Sequence, residues 1–202
     1  MIRYPECELE SLGPTAKRWK KSGASHFFFA LREVLVRFYT VSDDYIRFLQ
    51  GFDGKVPNNG GAAYKGSKVY VGIVLEIGNH RFFAPLSSYK PNQDRIDSSA
   101  CSAFKLHERG NPDNKLGLIS LNYMVPVPAT ELVLLDVGAL EARYKRMVMK
   151  QYEFIKANRD EIYRRAAKLY EHVVVNRTPH FVRISCDIPT LVDQAAKYPP
   201  AA

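Results

Sequence analysis

KVYVGIVLEIGNHRFFAPLSSYKPN, residues 68–92, is the stretch on which the fold depends. Lys68 to Ile77 is rich in β-branched residues and almost wholly apolar, the composition of a strand covered on both faces. Gly78-Asn79 suits a two-residue hairpin turn. His80 to Leu86 is then the return strand. Pro85 lacks an amide donor, which predicts that this strand lies at an edge or bends there. One-to-one pairing from the turn sets Ile77 against His80, Ile73 against Ala84, Val69 against Ser88 and Ser67 against Lys90. The polar run Ser87-Ser88-Tyr89-Lys90 then flanks residues 64–68 at the open end of the hairpin. Tyr64, Lys65, Lys68, Ser87, Ser88 and Lys90 converge there. Strict alternation sets Lys68 and Ser88 on opposite faces unless a bulge or bend intervenes.

Outward from the hairpin, VRFYTV (36–41) alternates like a strand. Ser42 caps a helix over 43–52, with Asp43 and Asp44 in the first turn and Tyr45, Ile46, Leu49 and Phe52 as its apolar stripe. Residues 51–63 are loop. Residues 103–108 read as a strand, 109–115 as a turn, and 116–127 and 131–137 as two further strands. The period then changes. Tyr144, Met147, Val148, Gln151, Phe154 and Ile155 trace one helical face. Asn158, with Glu161 three residues on, predicts a helix restart of the capping-box kind. Ile162, Ala166, Leu169 and Val173 carry the next stripe. The last segment, from Pro179, reads as one strand, a short helix and a frayed end. The plan is α+β: a strongly twisted antiparallel sheet with packed helices.

The 202-residue chain carries a formal charge of +8. Residues 1–35 hold six Lys/Arg and four acids, so the remainder keeps 23 minus 17, or +6. A basic surface attracts phosphate polymers before any specific contact forms. Cys7, Cys101 and Cys186 are far apart and lack metal-ligand spacing, which predicts a cytoplasmic setting with no disulfide framework and no metal. No apolar run reaches the roughly 20 residues of a membrane span.

The converging cluster has cations and hydroxyls, but neither a carboxylate pair nor a Gly-rich phosphate motif. RNA cleavage without a metal needs such groups. The 2′-hydroxyl attacks the adjacent phosphate, and a 2′,3′-cyclic phosphate and a 5′-hydroxyl result. A lysine, with an ordinary pKa of about 10.4, stays charged and neutralises the phosphorane-like transition state. Hydroxyls orient the phosphate. One group accepts the 2′ proton and another protonates the leaving oxygen, and a tyrosine of lowered pKa suits either role.

The same residues carry a resemblance. RFYTVSDDYIRFL, DGKVPN, YKGSKVYVGIVLEI, FFAPLSSYK, FKLHERGNPDNKLGLISLNYMVPV, LLDVG and YKRMVMKQYEFIKAN follow in the order and spacing of the ToxN/AbiQ endoribonucleases, toxins of type III toxin–antitoxin systems. The chain resembles them from about Val36 to about Val175. The resemblance implies a fold similar to MazF/Kid-like toxins and metal-independent RNA cleavage without a cofactor. It also implies inhibition by a repeated pseudoknot RNA antitoxin. The toxin excises that RNA from its precursor and joins it in a closed toxin–RNA ring, and abortive infection against phage follows. Cellular or phage RNA is the substrate; neither a membrane nor DNA is expected as a partner. Carried onto this chain, the family's catalytic positions fall on Tyr64, Lys68, Ser87, Ser88 and Lys90. Ser87 stands where threonine is common and keeps the hydroxyl. Lys55 is assigned RNA contact, and Lys65 joins it as an RNA-binding residue.

Residues 144–170 hold eight Lys/Arg against three acids. Such a helix face serves solvation in most proteins; beside RNA, Lys145, Arg146 and Lys150 become the first phosphate contacts. His107 reads as structural, because the proposed chemistry does not use it. Residues 1–35 have no counterpart in the family and are expected to be an over-extended start, with 36–202 the single toxin domain. The intact mass of the natively made protein tests this. Two other readings compete: an RNA-binding module without catalysis, and a hydrolase with Ser88 as nucleophile and Lys90 or Lys68 as base.

Overall fold

The computed structural model describes residues 36–59, 68–77 and 79–199. The expectations for residues 1–35 and for Tyr64, Lys65 and Ser67 lie outside these. Seven antiparallel strands form the sheet: β1 (Phe38–Val41), β2 (Tyr70–Ile77), β3 (His80–Ser87), β4 (Phe104–Glu108), β5 (Asn111–Ile119), β6 (Val125–Pro126) and β7 (Leu132–Leu134). Their order is β4-β5-β3-β2-β1-β7, with β6 paired to β3. Five α-helices lie among the described residues: α1 (Asp43–Gln50), α2 (Ala142–Ala157), α3 (Arg159–Tyr170), α4 (Pro179–Ile184) and α5 (Ile188–Ala195). None is long and apolar enough to cross a membrane.

The apolar run of the hairpin has its reason in two cores. Phe82, Ala84, Val69 and Val71 pack with Val148, Ile155, Ile162, Ala166 and Leu169 of α2 and α3. Phe83 and Tyr70 pack on the other face with Tyr45, Ile46 and Leu49 of α1 and Leu191 of α5. Neighbouring residues of each strand, Tyr70 and Val71 in β2 and Phe82 and Phe83 in β3, thus serve opposite cores. Ser42 caps α1 as expected, its hydroxyl accepting the Tyr45 N–H at 3.2 Å. Burial raises the pKa of the Tyr45 phenol, which donates to the Pro126 carbonyl at 2.6 Å.

Several expectations are corrected. β3 is interior, not an edge strand. Its first half pairs β2 and β6, and its end pairs β5. Pro85 sits where these partners change, so its missing donor costs no ladder bond. The hairpin is not one-to-one. Ile77 pairs His80 and Leu75 pairs Phe82, but Val71 pairs Ala84 and Tyr70 pairs Pro85. Three residues of β2, 72 to 74, thus oppose Phe83 alone. Residues 109–115 are mostly strand. Pro112, Asp113 and Asn114 fall in the register break between the pairs Glu108–Asn111 and His107–Lys115, where turn formers do little harm. Residues 116–127 are not one strand, since a 3₁₀ turn at Leu121–Tyr123 separates β5 from β6. Phe52 lies beyond α1 and is half exposed, stacked edge-on to Phe48. Asn158 makes no side-chain cap; its amide donates back to the Phe154 carbonyl at 2.8 Å. The terminal segment, as far as it is described to residue 199, holds two helices and no strand.

Candidate active site

The register break in β2 moves Lys68 by two residues along β3. Tyr70 pairs Pro85, and the Leu86 N–H donates to the Val69 carbonyl at 2.8 Å. Continued one residue, this register sets Lys68 opposite Ser87. The break is fixed from the neighbouring strand. The Gly72 N–H donates to the Arg37 carbonyl at 2.8 Å, and a Cβ on Gly72 would overlap the Tyr39 ring. The Lys68 N–H itself donates to the Asn59 carbonyl at 3.1 Å, and the Asn59 amide is buried against the Val41 carbonyl. Lys68 and Ser87 are half-buried, whereas Ser88 and Lys90 are exposed.

Beyond β3 the chain is held by a short network. Gln93, buried in a 3₁₀ turn at Pro91–Arg95, donates from its side chain to the Ser88 carbonyl at 3.0 Å. Its backbone N–H donates to the Lys90 carbonyl at 2.9 Å. The Tyr89 hydroxyl and the Lys115 ammonium both donate to Asp94 Oδ2 at 2.8 Å. The Lys115 bond, with the Tyr89 bond behind it, holds the Asp94 carboxyl below its ordinary range. Asp94 in turn raises Lys115. Gly117 on β5 passes directly under the run. Its φ is +129°, and a Cβ there would overlap the Ser87 carbonyl oxygen.

Sequence reasoning did not find Gln93, Asp94, Lys115 or Gly117 as partners of this run. For Gly117 there was a sign, since a glycine inside an apolar strand marks a close backbone approach. Asp94 and Lys115 are 21 residues apart, and no local pattern joins them.

The other described residues singled out in the sequence have settings of their own. The Lys55 ammonium donates to the Ser185 carbonyl at 2.8 Å and the Val182 carbonyl at 3.1 Å, so it satisfies the end of α4. Lys145 and Arg146 are exposed on the first turns of α2. Lys150 pairs with Glu108 of β4 at 2.8 Å, which lowers the Glu108 pKa. His107 packs against Phe154 with ring centroids 4.1 Å apart and ring planes tilted by 55°. Among the described residues no three His, Cys, Asp or Glu side chains gather as a metal site would require.

Comparison with known proteins defines the class. Residues 37–196 match the family described as toxin ToxN of type III toxin–antitoxin systems. Endoribonuclease ToxN of Pectobacterium atrosepticum is 48% identical over 128 residues, 63% of this chain and 75% of that protein. Endoribonuclease AbiQ of Lactococcus lactis subsp. lactis is 31% identical over 183 residues, 87% of this chain and 96% of that protein. A solved structure from a bacterial antiviral system regulated by a processed non-coding RNA superposes with a TM-score of 0.76 at 40% identity, covering 80% of this chain and 98% of that one. A second, from a type III system in which a non-coding RNA pseudoknot inhibits the toxin, gives 0.71 at 30% identity over 81% and 97%. The chain belongs to the ToxN/AbiQ family, the endoribonuclease toxins of type III toxin–antitoxin systems.

Proposed function

We propose that this chain cuts RNA without a metal ion, by attack of a 2′-hydroxyl on the adjacent phosphate. The new 2′-O–P bond replaces the P–O5′ bond. A proton leaves the 2′ oxygen and one is delivered to the 5′ oxygen, so the products are a 2′,3′-cyclic phosphate and a 5′-hydroxyl. The observation that carries the reading is the register shift of β2, which sets the Lys68 backbone opposite Ser87. In this reading the Lys68 ammonium neutralises the phosphorane, Ser87 and Ser88 orient the phosphate, and Lys90 draws in the strand from its exposed position. Tyr64 serves the proton transfers.

The partner in this account is a repeated pseudoknot RNA that the toxin excises and that then holds it in a closed ring. This is supported by the RNA regulation of the similar proteins. Lys145, Arg146 and Lys150, with Lys55 and Lys65, supply phosphate contacts to that RNA. The fold is akin to MazF/Kid-like toxins, and the outcome is phage defence in the cytoplasm by cutting cellular or phage RNA. End-group chemistry tests the mechanism. Products made in this way accept a 5′ label from polynucleotide kinase without prior phosphatase treatment and resist 3′ ligation. Products with 5′-phosphates contradict it. Tight binding with no products favours the non-catalytic RNA-binding reading.

A further inference from the structure

The loop after Ser88 opens onto a recess of about 630 Å³. That volume lies in the range of small-ligand pockets, about 300–1,000 Å³. Its walls are rings: Phe104 and His107 from β4, and Phe154 from α2. His107 and Phe154 have centroids 4.1 Å apart, and Phe104 and Phe154 6.2 Å apart. Tyr89, Lys105 and Lys115 also line it. Tyr89 ties the recess to the cluster, because it is the residue between Ser88 and Lys90. The two acids that line it are neutralised in place, Asp94 by Lys115 and Glu161 by Arg164 and Arg165. A polyanion therefore meets little repulsion there.

The geometry points to a nucleobase subsite: this recess takes one base of the RNA strand flanking the cut, stacked on the His107 ring that Phe154 supports, with Lys105 on its phosphates. Flat rings beside lysines are what single-stranded RNA binds, because every base has a face to stack and a phosphate to neutralise. The inference rests on the nuclease reading and adds to it. It also gives His107, which the cleavage chemistry leaves unused, a place against the substrate.

The experiment is a cleavage series on a short single-stranded RNA in which each nucleotide around the cut is made abasic in turn. Wild type, His107→Ala and Phe154→Leu are compared, with circular dichroism to confirm folding. The subsite predicts one position at which loss of the base raises KM roughly tenfold in wild type. The same loss adds nothing in either variant, and each variant already shows the raised KM on intact RNA. Phe154→Leu keeps an apolar side chain without a flat face, so it carries the test should His107→Ala fail to fold. Cleavage in which no abasic position is costly, or in which the cost is the same in the variants, overturns the subsite and leaves the nuclease standing. A wild-type protein that cuts no RNA overturns both.

Discussion

At Gly117 a single methyl group is expected to disable the site. An alanine there would strain the +129° φ and push directly on the Ser87 carbonyl, so the backbone of Ser87-Ser88 must shift. Gly117→Ala should lower kcat/KM for RNA at least tenfold, because misplacing a catalytic group by about 1 Å can cost 100-fold. Steady-state cleavage against wild type checks it; unchanged kinetics would detach Gly117 from the site. Asp94 acts one step away, by holding Tyr89 and Lys115. Its carboxyl titrates below the ordinary 3.8 when folded, so its contribution to stability is present above that value and is lost as pH falls through the folded value. Lys115 sits above its ordinary 10.5, so its part holds below that value and fades only at higher pH. Asp94→Asn should therefore lower stability throughout the neutral range, with the difference from wild type disappearing only in strong acid. Denaturant unfolding at several pH values measures this. That Lys68 and the run from Ser87 to Lys90 share one end of the hairpin was legible in the sequence, but counting from the turn sets Lys68 two residues from its observed register. Gln93, Asp94, Lys115 and Gly117 were not legible, because their partners come from another strand or an irregular turn.

Among the elements, β1, α1, β2, β3, β4, α2 and α3 were legible, from alternating or helical apolar periods and the Ser42 cap. Register was less so. The break at residues 72–74 answers to Tyr39 of β1 and to Arg37 just before it, which a hairpin considered alone does not contain. The strand at 111–119 hid behind Pro112, Asp113 and Asn114, turn formers that sit in its register break. α3 has a further duty that its pattern did not announce. Arg165 donates to the carbonyls of Ser98, Ala100 and Ala103 and lies 5.0 Å from the Phe104 ring centroid. It clamps the segment that leads into β4. Arg165→Ala should destabilise the protein by about 2–3 kcal/mol, since hydrogen bonds to a charged group contribute about 1.5–3 kcal/mol. Thermal melting checks it; a melt superimposable on wild type would show that the clamp adds nothing.

At the scale of the molecule, the described residues form a sheet packed on both faces, in a chain of net positive charge. The sheet packs helices on both faces, which is why Tyr70, Val71, Phe82 and Phe83 of its central hairpin are all apolar and buried. The positive charge of the chain, +8, suits it to a phosphate polymer and would bind RNA of any sequence weakly. Charge therefore does not separate a nuclease from an RNA-binding protein, and only the chemistry at the hairpin's open end can. The most direct measurement is one gel. Wild type and Lys68→Ala, each freed of bound RNA and shown to be folded, are incubated with the same adenine-rich single-stranded RNA in excess EDTA. The account predicts cleavage by wild type alone. Cleavage by both, or by neither while both bind the RNA, would contradict it.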